Sequence, residues 1–207
     1  MSHRLAFLVS GASGMLLSRH ALRALARHPQ VETIHLVVSR GASQVLRHEL
    51  GETRTGAEDL LQAADLDEAG RARVQIHRDN ELDAPIASGS YPLTGTLILP
   101  CSAGTLGALA TGSARTLVHR AGAVALKERW PLVLGFRETP LTVVHLENLR
   151  RLAYAGAVIL PPIPAFYIGG EELERFLDHY VLRLLDHLRI RETEGSDLRW
   201  PEPASTR

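Results

Sequence analysis

The chain has almost no lysine. Of its 23 lysine and arginine residues, Lys127 alone is a lysine. Arginine is planar and always charged, whereas lysine is a compact charge whose pKa moves on burial. Two readings stay open: an accident of an arginine-biased composition on a solvated face, or one ammonium kept for chemistry. A single cysteine, Cys101, excludes an intrachain disulfide and any multi-cysteine metal site. It predicts a reducing, cytoplasmic setting. The formal net charge is zero, so no bulk field draws nucleic acid or an anionic membrane. No apolar run is long enough to span a bilayer. The N-terminal MSHRLAFLVSGASGMLL is broken by GASG and is read as strand and turn rather than as a secretory leader. No internal repeat, GxGxxG fingerprint or aspartate-rich motif is present.

What remains is ordinary in amount and informative in order. A chain of 207 residues with 45% hydrophobic content can bury one sizeable core. The expected division is one domain over 1–190 and a polar tail over 191–207. Strands are predicted at Arg4 to Val9, Val31 to Val38, Val74 to His77, Thr94 to Pro100, Pro131 to Phe136 and Ala157 to Leu160. Helices are predicted to about Arg27 and about Leu50, after Thr105, and over 113–128, 141–155 and 171–188. The polar stretch 52–73 reads as loop and one short helix, and Asp79 to Pro92 as a long loop. Strands alternating with helices predict an α/β doubly wound, mostly parallel sheet of flavodoxin or Rossmann type. In such sheets ligands bind beyond the carboxyl ends of the strands.

Several residues stand at those ends. Gly11, Ala12 and Ser13 form a turn between strand and helix, an arrangement that presents N–H groups to an anion. The same turn also reads as a plain helix start with Ser13 as cap. Ser39 follows the second strand. Cys101 to Thr105 is another small, hydroxyl-rich turn, and within it Cys101 is a small buried hydrophobe sooner than a nucleophile. Arg137 and Glu138 follow the apolar run Pro131 to Phe136. Arg120 and Lys127 lie on similar faces of one helix. Arg183, among apolar neighbours on the last helix, needs a partner or an anion.

Taken in order, GASG, Ser39 with Glu49, ASGS at 87–90, PCSAGT at 100–105, ALKERWPLVLGFRETPL at 125–141, HLENL at 145–149, GAVILPPIPAFY at 156–167 and Arg183 resemble the flavin prenyltransferases of the UbiX type. The resemblance implies transfer of a dimethylallyl group from dimethylallyl monophosphate to reduced FMN, without a metal. In that family the prenyl unit joins nitrogen-5 and carbon-6 of the flavin. The prenylated FMN would pass to a UbiD-type decarboxylase, and a homo-dodecamer is expected. The resemblance also implies residue roles. Gly11, Ala12, Ser13, Ser39, Ser102, Ala103, Gly104, Thr105 and Arg137 would hold FMN. Lys127, Tyr167 and Arg183 would hold the donor phosphate, with Arg120 near the substrates. Glu138 and Glu49 would be acidic active-site residues, catalytic together with Lys127.

The chain departs from the pattern at Leu17-Ser18, where members often carry Tyr-Gly, and at Leu82, where some carry tryptophan. Two rival readings are a flavin-dependent cysteine decarboxylase and a non-enzymatic flavin-binding protein. The first is opposed by Gly104, where that family has asparagine, and by PPIPAFY in the later wall.

Overall fold

A computed structural model describes residues 2–51, 56–168, 172–191 and 197–200. Its sheet has six strands: β1 (His3–Val9), β2 (Val31–Val38), β3 (Val74–Arg78), β4 (Gly95–Cys101), β5 (Leu132–Phe136) and β6 (Val158–Ile159). They lie in the order β3-β2-β1-β4-β5-β6, and every pairing is parallel. The expected "mostly parallel" sheet is thus parallel throughout. All residues of β4 and β5 are buried. Helices cover both faces of the sheet, which is why these strands read as unbroken apolar runs rather than alternating ones.

The helices are α1 (Met15–Arg27), α2 (Arg40–Leu50), α3 (Ala57–Ala63), α4 (Glu68–Ala72), α5 (Ala103–Ala110), α6 (Leu117–Glu128), α7 (Val143–Tyr154) and α8 (Leu173–His187). One core packs Leu22 and Leu25 of α1, Leu46 of α2, Leu60 of α3 and Leu184 of α8 against the sheet. The other packs Leu106 of α5, Val118 and Ala121 of α6 and Leu152 of α7 against the opposite face. Lys127 and Arg183 therefore belong to helices on opposite faces.

Several expected boundaries move. The helix expected from Ser113 begins at Leu117, because Thr116 caps it and Gly112 turns the chain with φ 72°. The stretch 52–73 holds two short helices rather than one, the second capped by Asp67. The long loop after β3 contains a tight helical turn, Pro85–Ala87. The last helix starts at Leu173, and Glu171 lies outside the described residues. The described part of the tail packs on its own chain: Asp197 pairs with Arg175 at 2.9 Å, and Arg199 with Asp186 at 2.8 Å.

Strand order reverses between β1 and β4. In a doubly wound sheet the crevice opens at that point, outside the carboxyl ends of the strands.

Candidate active site

Ser10 opens the crevice. Its buried hydroxyl donates to the Pro100 carbonyl at 2.9 Å and accepts the Ser102 N–H at 2.8 Å, tying together the ends of β1 and β4. The next four residues turn into α1. Gly14 has φ 121°, a conformation open to glycine. A Cβ on Gly11 would lie 2.9 Å from the Gly41 carbonyl carbon, so glycine there lets the turn rest against the start of α2.

The first N–H groups of α1 already have an anionic partner. Glu49 accepts from Gly14 at 3.0 Å and from Met15 at 2.7 Å. Its carboxylate sits at the positive end of the helix. The sequence offered the GASG turn itself as an anion cradle. The structure gives the N–H groups of Gly14 and Met15 to Glu49, while Ala12 N–H turns back to the Ser10 carbonyl at 2.8 Å.

Beside this turn, three other helices begin. Ser39 caps α2 by accepting from Ala42 at 3.2 Å. Ser102 caps α5 by accepting from Thr105 at 3.2 Å. Thr116 caps α6 by accepting from His119 at 3.4 Å. Their first turns line a cavity of about 430 Å³ with Gly11, Ser39, Arg40, Gly41, Asp79, Ser102, Gly104, Thr105, Thr116, Val118 and His119. Helix N-termini carry positive partial charge, and the N–H groups of Arg40 and Gly41 on α2 and of Ala103 and Gly104 on α5 have no partner among the described residues, so the cavity favours an anion such as a phosphate. Five of the residues expected to hold FMN line it: Gly11, Ser39, Ser102, Gly104 and Thr105. Ala12 and Ser13 lie on the adjoining turn, and Ala103 opens α5.

Arg137 closes the crevice from β5. Its N–H donates to the Cys101 carbonyl and its Nε to the Ser13 carbonyl, each at 3.2 Å. The guanidinium thus spans from β5 across β4 to the β1 turn. Glu138 follows, half-exposed, with Oε1 accepting from Thr139 at 3.1 Å.

The expected donor-phosphate residues are elsewhere. Lys127 lies at the carboxyl end of α6, a few residues before β5 begins, and contacts Glu128. The five residues of β5 then separate it from Arg137, roughly 16 Å along the strand direction. Arg120, on the same helix, donates through Nε to the Ala87 carbonyl at 2.9 Å, which anchors the 85–90 loop. Tyr167 lies beyond β6, half-exposed, with its hydroxyl 3.2 Å from His179 Nε2 on α8. Arg183 lies one turn further along α8 and reaches Asp186 at 3.4 Å. One chain therefore brings the flavin-side residues and Arg137 and Glu138 together, places Tyr167 and Arg183 on a second patch, and leaves Lys127 at the opposite end of the sheet.

Burial dominates three titrations. Cys101 is fully buried and its thiol is pushed up to about 12, so it is a core side chain and not a thiolate nucleophile. His119 is held below its ordinary value by burial, with Asp79 pulling the other way. His179 is lowered by burial and by Arg183 beside it. Ser10, Asp79, Thr116 and His119 were not singled out from sequence. Of these only Ser10 left a trace there, as a hydroxyl at a strand end.

Fold and site define a doubly wound flavin-binding protein, and the Flavoprotein family model matches residues 1–175. The flavin prenyltransferase UbiX of Aquifex aeolicus is 38% identical over 189 residues, 90% of this chain and 94% of that protein. The chain belongs to the UbiX-type flavin prenyltransferase family. Among solved structures, a dodecameric FMN-dependent UbiX-like decarboxylase from Escherichia coli O157:H7 superposes with a TM-score of 0.82 at 35% identity, covering 96% of this chain and all of that one. A UbiX-type protein, PadA1, in complex with FMN and dimethylallyl pyrophosphate superposes with a TM-score of 0.80 at 35% identity, covering 95% of this chain and 100% of that one.

Proposed function

We propose that this protein transfers a dimethylallyl group from a dimethylallyl phosphate to reduced FMN, at a site completed by more than one copy of the chain. The observation that carries the reading is the cavity at the three helix N-termini, beside Arg137 and Glu138, in a chain of this family.

The residues present fit FMN. The cavity offers hydroxyls and N–H groups to the phosphate, and the close approach of Gly11 to Gly41 keeps its wall thin. Ser39, Ser102 and Thr105 would bind the phosphate, and Arg137 would fix the flavin near the Ser13 turn. Reduced FMN supplies the nucleophilic nitrogen. Breaking the allylic carbon–oxygen bond puts charge on the departing phosphate. Lys127, Arg183 and the Tyr167 hydroxyl are the donors for that charge, and fixed donors are worth most where charge develops. Glu138 would move a proton during ring closure, and Glu49 holds the turn that Arg137 reaches.

Lys127 cannot reach Arg137 within one chain, so a neighbouring copy must bring it. A suitable surface exists. On α7 only Leu152 is buried, while Val143, Val144 and Tyr154 are 74%, 66% and 83% exposed. Phe166, beside Tyr167, is 91% exposed. Large apolar side chains exposed in this number mark an interface. The dodecameric state of the Escherichia coli neighbour supports a homo-dodecamer here.

The donor is read as the monophosphate; the diphosphate is the form named for the PadA1 complex. The product would serve a UbiD-type decarboxylase in the cytoplasm. Anaerobic incubation with reduced FMN and each donor, followed by mass spectrometry of the released flavin, tests the reading. FMN heavier by one five-carbon unit is the expected result. Unmodified FMN with every donor would leave a flavin-binding protein without this activity.

A further inference from the structure

We propose that His119 is a phosphate-binding residue of the flavin cavity, and that capture of the flavin phosphate is coupled to proton uptake on its imidazole. The inference deepens the flavin reading above and rests on it.

His119 occupies the first turn of α6 and lines the cavity formed by the starts of α2, α5 and α6. Its Nδ1 is buried with no hydrogen-bond partner among the described residues. A buried ring nitrogen without a partner costs free energy, and a ligand that draws the partly buried ring toward the cavity recovers it. The other donors of this helix end are already engaged. Asp79 Oδ1 accepts from Val118 at 3.0 Å, the Asp79 carbonyl accepts from Leu117 at 2.7 Å, and Thr116 Oγ1 accepts from His119 N–H. The imidazole is what this helix end has left to offer.

The charged groups lining the cavity are Arg40, from the first turn of α2, and Asp79, from the loop after β3; α5 contributes none. A phosphate dianion entering beside Asp79 brings two anions together. A proton on His119 relieves that repulsion and adds a charge-assisted hydrogen bond. Without ligand, burial keeps the ring neutral, and the positive ends of the helices act in the same direction. With phosphate bound, the cationic form is favoured, so binding takes up a proton wherever pH lies between the two values.

The test is calorimetric titration of FMN into the full-length chain freed of flavin, in two buffers of different ionisation enthalpy. It is run from about pH 7 to about pH 8, where the flavin phosphate is already largely dianionic. The unmodified protein should take up a fraction of a proton per FMN. Its affinity should weaken with rising pH by several-fold, and by no more than about tenfold per pH unit. His119→Gln should bind FMN more weakly at the lower pH, with no proton uptake and a flat profile. Riboflavin, which lacks the phosphate, should show no proton uptake with either protein. Melting temperatures of His119→Gln and His119→Asn confirm folding, and either variant serves. Equal affinity and equal proton uptake in variant and unmodified protein would overturn the role of His119 while leaving the flavin reading standing. Failure of the unmodified protein to bind FMN at all would remove that reading, and this inference with it.

Discussion

In the proposed reaction Lys127 stabilises the departing phosphate, yet its own chain holds it at the far end of β5 from Arg137. It stands half-exposed beside Glu128 at the carboxyl end of α6. Lys127→Ala should leave FMN binding unchanged, because no flavin-cavity residue touches it. It should lower prenyl transfer by about a hundredfold, the usual cost of removing one donor from a developing anion. Turnover assays alongside FMN titration check both halves, and unchanged turnover would remove Lys127 from the mechanism. A second residue-scale prediction concerns stability. His35 is fully buried between His77 at 2.9 Å and Tyr91 at 3.0 Å, and burial followed by the charge on His77 lowers its pKa to about 4. Between about 4 and the ordinary 6.5 the folded chain binds fewer protons than the unfolded one. The stability His35 confers by staying neutral is therefore whole above 6.5 and is lost as pH falls toward 4. The loss is on the order of 3 kcal/mol. Thermal unfolding at fixed protein concentration should show a steep acid limb that His35→Gln flattens.

At the scale of elements, the crevice depends on helix starts meeting without side chains between them. Gly11→Ala would set a methyl 2.9 Å from the Gly41 carbonyl carbon, a backbone atom that cannot swing aside. The turn or the start of α2 must shift, at about 1–3 kcal/mol. The melting temperature should fall and FMN affinity should weaken together; a variant unchanged in both would contradict the packing described. Much at this scale was legible in sequence. Unbroken apolar runs such as Thr94 to Pro100 marked buried parallel strands, and hydroxyls at strand ends marked the starts of α2 and α5. Boundaries were harder where a cap decided them, as at Thr116. The hand-over of the Gly14 and Met15 N–H groups to Glu49 was not legible, because it is a contact across 34–35 residues with no local signature. His119 was hidden for a related reason: its importance lies in an unpartnered nitrogen, and sequence does not display partners.

The whole molecule is where the family resemblance and the single chain diverge most. Resemblance grouped Lys127, Tyr167 and Arg183 around one phosphate. The fold puts Lys127 and Arg183 on helices against opposite faces of the sheet. In the proposed shared site another copy supplies the missing neighbour, which no reading of one chain can display. Assembly and activity should therefore fail together. Val144→Asp on the exposed face of α7 should shift the mass in light scattering toward smaller species and reduce prenyl transfer at least tenfold, by placing a charge in a desolvated contact. Full activity from a dissociated variant would show that one chain suffices.

Subunit complementation tests the shared site most directly. Lys127→Ala and Glu138→Gln chains are each inactive alone if both residues serve the reaction. Co-assembled, some sites draw Lys127 from one chain and Glu138 from another, and both are then intact. Random mixing of equal amounts predicts recovery of roughly a quarter of the unmodified activity, read as prenylated FMN by mass spectrometry. No recovery from a properly mixed oligomer would mean that Lys127 and Glu138 act within the same chain, and the account of a site shared between copies would be wrong.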